Sequence, residues 1–481
     1  MYVAKHKIVS FLMILVVMAL HLVWTPINAY ASEFDGEEIF FVEDIFADEE
    51  FVSYVEAHVI EAFGREFMQN HRRSMDVAHM VFESFPRNRA GERMYPNNFG
   101  GLYIDDDGNL VILTVNSPMA LMMDADALSF SNTLHDVLHV EAGIAAKVVD
   151  FSFDELMEAI NFLEWFKMEY PEIAFRNAST WYLDVVSNRV VVGLVDYTPE
   201  EIRLFRQEVL DSPVLTFKEY TERYIVIGDS PTLYYTYQQY GISPRNIAHH
   251  PGHRVFAILG PSQGSSTGSI GYRARLRSQP AVQGFVMAAH SGPRNWGDPR
   301  FTGVSREVMQ GNGAVIGDVR MGAASLNSID AAFIQNRSGH TVSNQLPRNV
   351  RYTPGTYDRF LFAGRYAESI QGGLVFHYGA PSPGNVSSLL PGTITVLNRS
   401  AQMNCRYRHG IFSVTADMVN FTAPLARGRS GGIVFGVINQ GPIHHTSFGV
   451  LGIMVGEADP NTIGAVVRAQ RINAALGLEL F

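Results

Sequence analysis

At 481 residues, the chain is long enough for about three compact units. Its 47% hydrophobic content supplies cores of that size. A net charge of −11, with lysine and arginine scattered apart from short clusters such as Arg72-Arg73 and Arg273 to Arg277, argues against a nucleic-acid partner.

Residues 1–31 read as a secretory signal. Lys5, His6 and Lys7 lead, Ile8 to Trp24 is apolar, and Ala29-Tyr30-Ala31 ends the segment as a small-residue cleavage site. An uncleaved anchor is the alternative, although His21 and Pro26 make this a poor span, and no later stretch is long enough to cross a bilayer. The expectation is an exported protein with no stable membrane insertion after cleavage. Cys405 is the only cysteine, so such a protein has no intramolecular disulfide and rests on packing or a bound ion.

Residues 32–225 read as two related α/β lobes. The segment Tyr103-Ile-Asp-Asp-Asp-Gly-Asn109-Leu-Val-Ile-Leu repeats as Tyr182-Leu-Asp-Val-Val-Ser-Asn188-Arg-Val-Val-Val, each a strand, an Asn-containing turn and a β-branched strand. Ser152-Phe-Asp-Glu155 and Thr198-Pro199-Glu-Glu201 are helix starts: the hydroxyl caps a backbone N–H, and proline is tolerated at the first helical position. His135-Asp-Val-Leu-His139 imitates a zinc-protease helix, but aspartate is a methylene too short for the usual base and no third ligand stands at a fixed offset, so it reads as a polar helix face. Residues 226–254 read as a connection, with His249-His250-Pro-Gly-His253 as a solvated loop.

From Val255 the text changes to short β-rich runs broken by Gly, Ser, Pro and Asn, the pattern of a barrel or sandwich, with only Ala465 to Leu476 helical in character. Near its end stands Leu425 to Phe435, LARGRSGGIVF. Glycines at 428, 431 and 432 permit a tight turn that exposes the Ser430 hydroxyl and frees backbone N–H groups for an oxyanion. Alone, this motif reads as a glycine-rich turn. His290 closes the run Gly284-Phe-Val-Met-Ala-Ala-His and Asp330 opens Asp330-Ala-Ala-Phe-Ile, so His, Asp and Ser follow one another at spacings of 40 and 100 residues.

With these residues in hand, the C-terminal half resembles the secreted bacterial chymotrypsin-fold peptidases of the streptogrisin and α-lytic protease group. GSIGYRA followed by GFVMAAH resembles their strand leading to the catalytic histidine, SIDAAFI their aspartate segment, GRSGG their G-D-S-G-G, and GVLGIMVG their substrate-binding strand. The repeats FGGLYIDDDGNLVILTV and TWYLDVVSNRVVVGLV resemble their pro-region, a folding catalyst and inhibitor. The resemblance implies an α+β pro-region of two lobes, then an all-β chymotrypsin-like double β-barrel over residues 255–481. Its first barrel covers about 255–350, its second about 365–465, and a helix spans 465–476. It implies a serine endopeptidase without cofactor or metal, with His290, Asp330 and Ser430 catalytic, and Gly428 and Ser430 as oxyanion donors. Met454, Val455, Gly456 and Glu457 would line the substrate site. Protein or peptide substrates and its own pro-region are the implied partners. Departures are Ser269 and Ser291 where cysteines commonly bracket the histidine, and Arg429 where an aspartate normally precedes the serine. The arginine that pairs with that aspartate falls near His377 or Tyr378, and Asp417 is the candidate partner for Arg429. The rival readings are a catalytically impaired protease-fold binding protein and an esterase-type serine hydrolase. The latter is disfavoured because only 51 residues follow Ser430.

Overall fold

The computed structural model describes residues 49–89, 93–115, 130, 132, 134, 143–220, 224–225, 247–251, 254–258, 265–291, 307–310, 315–323, 329–346, 360–379, 389–405, 410–425, 429–440, 446–458 and 462–481. The signal-like segment, the His135 to His139 motif, His253 and Gly428 lie outside them.

The two lobes share one plan. After helices α1 (Glu49–Phe63) and α2 (Arg65–Glu83), the first lobe has the antiparallel hairpin β1 (Phe99–Ile104) and β2 (Leu110–Val115), with β3 (Ile144–Val149) parallel to β2. The second lobe opens with α3 (Phe153–Glu169) and repeats the pattern: hairpin β4 (Ala178–Asp184) and β5 (Arg189–Leu194), helix α4 (Pro199–Glu208), and β6 (Leu215–Glu219) parallel to β5. Both helix starts form as the sequence specifies. Ser152 and Glu155 make a reciprocal capping box, and the Thr198 hydroxyl accepts from the Glu201 N–H.

Two short strands, β7 (Tyr224–Ile225) and β8 (Ile247–His249), precede the first barrel. That barrel contains β9 (Arg254–Ile258), β10 (Ser265–Ser269), β11 (Arg273–Leu276), β12 (Gln279–Ala288), β13 (Glu307–Gln310), β14 (Val315–Ala323) and β15 (Ala331–Asn336). Only Ile270 to Tyr272 separate β10 from β11. β10 pairs with β9 and β11 with β12, so this bent strand closes the ring through β15, β14 and β13 back to β9. The period of two divides β12 between two cores. Phe285 and Met287 face the barrel interior, while Val286 and Ala288 face the larger core beyond it.

Next come β16 (His340–Val342), parallel to β8, β17 (Gln345–Leu346) and β18 (Phe360–Tyr366). The second barrel closes through β19 (Leu374–Tyr378), β20 (Leu390–Cys405), β21 (Gly410–Phe421), β24 (Ile463–Arg468), β23 (Thr446–Ala458) and β22 (Ile433–Gln440), which returns to β19. The C-terminal helix α5 is Ala469–Leu476, followed by β25 (Leu478–Glu479). The sequence expectation started this helix at Ala465. Residues 465–468 instead pair with β21 and β23 and complete the second barrel, and their β-branched Val466 and Val467 suit that role.

The lobes dock on the second barrel. β20 carries β4 on its free edge, joining the second lobe's sheet to the barrel's. One hydrophobic core accordingly holds Trp181 and Leu163 together with Ile394, Val419 and Met454. Gln371 stands where both lobes meet the barrel: its carbonyl accepts from Ile104 N, its side-chain oxygen accepts from Val185 N, and its amide donates to Asp184.

Candidate active site

The site follows from strand pairing. β12 and β15 are antiparallel with Ala288 opposite Ala331, so the residues just past one end, His290, and just before the other, Asp330, are neighbours. Asp330 has φ of 37°, a left-handed conformation that aspartate tolerates better than most side chains. Its carbonyl accepts from Ala289 N at 3.1 Å and its Oδ1 from His290 N at 2.9 Å, which fixes the carboxylate against the imidazole. Asp330 Oδ2 lies 2.5 Å from His290 Nδ1, and His290 Nε2 lies 2.6 Å from Ser430 Oγ. All three side chains are at most 1% exposed.

Ser430 arrives from the second barrel and is held by both. Its carbonyl accepts from Ser269 N of β10 at 2.7 Å, while Gly431 N donates to Met454 O at 2.7 Å and Met454 N to Gly432 O at 3.0 Å. The Gly432 N–H closes the turn on the Arg429 carbonyl at 2.9 Å. Gly431 has φ of 84°, and a Cβ there would fall 2.5 Å from Ser269 O, so only glycine fits. Ser291 packs against Gly268, beside Ser269, both serines being buried.

Arg429 is 4% exposed, and burial lowers its pKa to about 10, so it keeps its charge at neutral pH, with Tyr378 acting to favour the charged form. Asp417 is not its partner. That carboxylate takes two hydrogen bonds from Arg468, at 2.6 and 2.8 Å, one from Ser369 and one from Asn398 N. Asp417 is committed within its own barrel, between β21 and β24, a pairing the sequence distance of 51 residues conceals. The residue facing Arg429 is His377, fully buried, its ring packed with the Arg429 carbonyl around Gly379 and Gly432. Burial and the Arg429 charge push His377 well below the usual histidine range, so it is neutral. Two basic residues can therefore share this space, because one of them carries no charge.

Met454, Val455, Gly456 and Glu457 all lie on β23. Met454 is fully buried, its backbone is spent on the Ser430 turn, and its sulfur packs toward Gly464. Glu457 and Ala458 are paired on one side with β24 and on the other with Ile225 and Tyr224 of β7. The N-terminal half thus already occupies part of this strand's edge.

His249 and His250 are buried, not solvated as the sequence reading had it. The first pairs with His340 at 3.0 Å and the second with Ser343 at 2.7 Å, because β8 lies along β16. Sequence reasoning also missed the contacts that join the two halves. His71 Nε2 accepts from Leu374 N at 2.9 Å. Lys167, 4% exposed, donates to Glu164, Ser400 and Thr415 at 2.7, 3.0 and 3.1 Å. Buried histidine and lysine in amphipathic helices were the available signals, but nothing local points to partners more than 200 residues away.

Two β-barrels, with a His, an Asp and a Ser brought together between them, stand behind a duplicated α/β segment, which is the architecture of a chymotrypsin-like double β-barrel preceded by a pro-region-like segment. Comparison with known proteins agrees on the N-terminal half. Residues 56–121 match the family model described as a Pro-like N-terminal domain, and residues 154–220 the Pro-like C-terminal domain. No curated protein matches the chain. Among solved structures, Thermobifida fusca Protease A is 20% identical, with 49% of this chain and 98% of that one covered and a TM-score of 0.32. The Nocardiopsis protease is 19% identical, with 49% and 99% covered and a TM-score of 0.32. An α-lytic protease homolog, N4, is 14% identical, with 49% and 100% covered and a TM-score of 0.33.

Proposed function

We propose that this chain is a secreted serine endopeptidase made as a precursor, with residues 1–31 as its signal, residues 32–225 as an inhibitory pro-region that assists folding, and the peptidase beyond the 226–254 connection. The observation that carries the reading is the continuous line Ser430 Oγ, His290 Nε2, His290 Nδ1, Asp330 Oδ2 at 2.6 and 2.5 Å. Ser430 Oγ attacks the peptide carbonyl while its proton passes to His290 Nε2. Asp330 holds the tautomer with the Nδ1 proton and stabilises the imidazolium. The C–N bond breaks, the departing amine takes the proton from His290, and water then hydrolyses the Ser430 ester by the same proton path. Gly428 and Ser430 N–H groups hold the oxyanion, each donor worth about 3 kcal/mol in the transition state.

Substrate adds as a strand at Val455 to Glu457. The pairing of β7 with Glu457 and Ala458 supports inhibition by the same edge contact, and the full burial of Ser430 accords with a closed precursor. The second reading, an inactive protease-fold binding protein, draws on Arg429 and His377, which place two bases behind the nucleophile. Fluorophosphonate labelling and cleavage of a peptide library by the mature form freed of residues 32–225, wild type against Ser430→Ala, separate the two. Labelling and cleavage by the wild type alone support the peptidase, and activity equal in both proteins, or absent from both, refutes it.

A further inference from the structure

Strand β7 is two residues long and is paired on both sides. Tyr224 and Ile225 lie antiparallel to β23, opposite Ala458 and Glu457, and parallel to β20, opposite Met403 and Asn404. The other edge of Glu457 and Ala458 is taken by Gly464 and Ile463 of β24, and that of Met403 and Asn404 by Phe412 and Ile411 of β21. Because β21 also pairs with β24, the strands β20, β21, β24 and β23 form a frame in which each is bonded to the next. β7 closes that frame. Paired strands lie about 4.8 Å apart, so β20 and β23 stand about 10 Å apart at this level, with room for one strand between them.

This slot is aligned with the nucleophile. Met454 holds the Ser430 turn through Gly431 N and Gly432 O. β7 runs antiparallel to β23, passing Ala458 first and Glu457 next, and so heads along β23 toward Met454. The residues of a substrate ahead of its scissile bond likewise run toward the nucleophile. Glu457 is three residues from Met454, so a substrate in the register of β7 has two further residues, opposite Gly456 and Val455, before it meets the Ser430 turn. The places of Ile225 and Tyr224 are therefore those of the third and fourth residues ahead of the bond to be cut. Successive residues of a strand turn their N–H and C=O groups to opposite sides. A chain with one edge to pair leaves every second residue unbonded, whereas a chain between two edges bonds them all.

We infer that, once β7 has left, substrate enters this slot as its middle strand, bonded to β23 on one side and to Met403 and Asn404 of β20 on the other. This rests on the proposed peptidase and on removal of residues 32–225, and it adds β20 as a second substrate-binding edge. It also defines the substrate class: an extended polypeptide with at least four residues ahead of the cut bond. The third and fourth both give their main-chain N–H groups, so neither is proline.

The test uses the form freed of residues 32–225, obtained by proteolysis of the folded full-length chain. A peptide with the sequence of residues 221–227 is titrated into it by fluorescence anisotropy. It is used intact and with the amide N–H of Tyr224, or of Ile225, replaced by an ester oxygen that deletes the donor. Each ester is expected to weaken binding about tenfold. A loss at only one of the two residues means a single edge and overturns the proposal, as does absence of binding. Met403→Pro and Asn404→Pro each remove one N–H from β20. In the variant whose lost N–H faced the slot, the ester aimed at β20 should have no further effect, a coupling that a general loss of affinity does not imitate. Additive losses in both variants remove β20 from the site. With substrates, kcat/KM should rise at least tenfold as the residues ahead of the cut bond increase from two to four, and a flat response counts against the slot. If no substrate is cut while the peptide still binds on both edges, the peptidase reading fails and the two-edged slot stands.

Discussion

Acid should loosen the grip of the pro-region, and His71 gives the prediction its size. Its Nε2 accepts from Leu374 N, so the docked state requires a neutral ring. The side chain is 3% exposed, and burial lowers its pKa from 6.5 to about 4. Above pH 6.5 the ring is neutral whether docked or unfolded, and its contribution to stability is whole. As pH falls from 6.5 toward 4, the unfolded chain takes up a proton that the docked chain refuses, and stability is lost. At pH 5 the loss amounts to about 2 kcal/mol, approaching about 3 kcal/mol below pH 4. The groups near it do not compensate: Arg72 is engaged by Glu56, and Arg73 by Asn70, on the outer side of α1 and α2. His71→Gln keeps an acceptor for Leu374 N and removes the titration. Urea unfolding of the Ser430→Ala precursor and of its His71→Gln derivative, from pH 8 to pH 4.5, should diverge by about 2 kcal/mol at pH 5 after matching at pH 8. Parallel pH profiles would show that His71 titrates normally and that this reasoning is wrong.

Further substitutions probe other parts of the molecule. Asp330→Asn should lower kcat by about 10⁴-fold while leaving the unfolding midpoint nearly unchanged, because the amide favours the wrong imidazole tautomer; a loss under tenfold would remove Asp330 from the mechanism. Gly372 has φ of 81°, and a Cβ there would lie 1.8 Å from Ile104 O of the first lobe. Gly372→Ala should therefore cost the precursor at least about 2 kcal/mol in urea unfolding, and a change within error would count against that contact. Burial pushes the Lys167 ammonium toward losing its proton, while Glu164 opposes that. Lys167→Met leaves the Glu164 carboxylate at the interface without its nearest cation and should cost about 3 kcal/mol, with Glu164→Gln added on top recovering part of the loss. No recovery in the double variant would mean that the two charges are not coupled.

The features legible in the sequence were those written locally. The duplicated hairpins, both helix caps and the strand-turn rhythm after Val255 depend on residues within a few positions of one another, and each appears where it was read. The triad was legible only as an order of three residues, since His290, Asp330 and Ser430 are each unremarkable in isolation. What the sequence hid is set by long-range pairing. Val466 and Val467 form a strand because β21 and β23 need a neighbour, although the same residues continue smoothly into the helix behind them. Asp417 looks available to Arg429 until barrel closure delivers Arg468. Leu374 finds His71 across 303 residues, and Gln371 bonds to both lobes, contacts that no periodicity encodes.

The edge of β20 would gain a consequence if the lobes are removed, as proposed. From Leu397 to Asn404 its backbone is paired on that side by β4 and β7, both from the N-terminal half. Departure of the lobes would vacate a stretch of strand that nothing else among the described residues pairs on that side, a template for any extended chain that meets it. Arg399 now donates to Thr180 and lies over Tyr182, 5.0 Å from the ring centre. In the freed barrel the same guanidinium would stand on the bare edge as a charge that discourages pairing. One residue would thus serve in turn as an anchor for the N-terminal lobes and, once they are gone, as a guard against self-association.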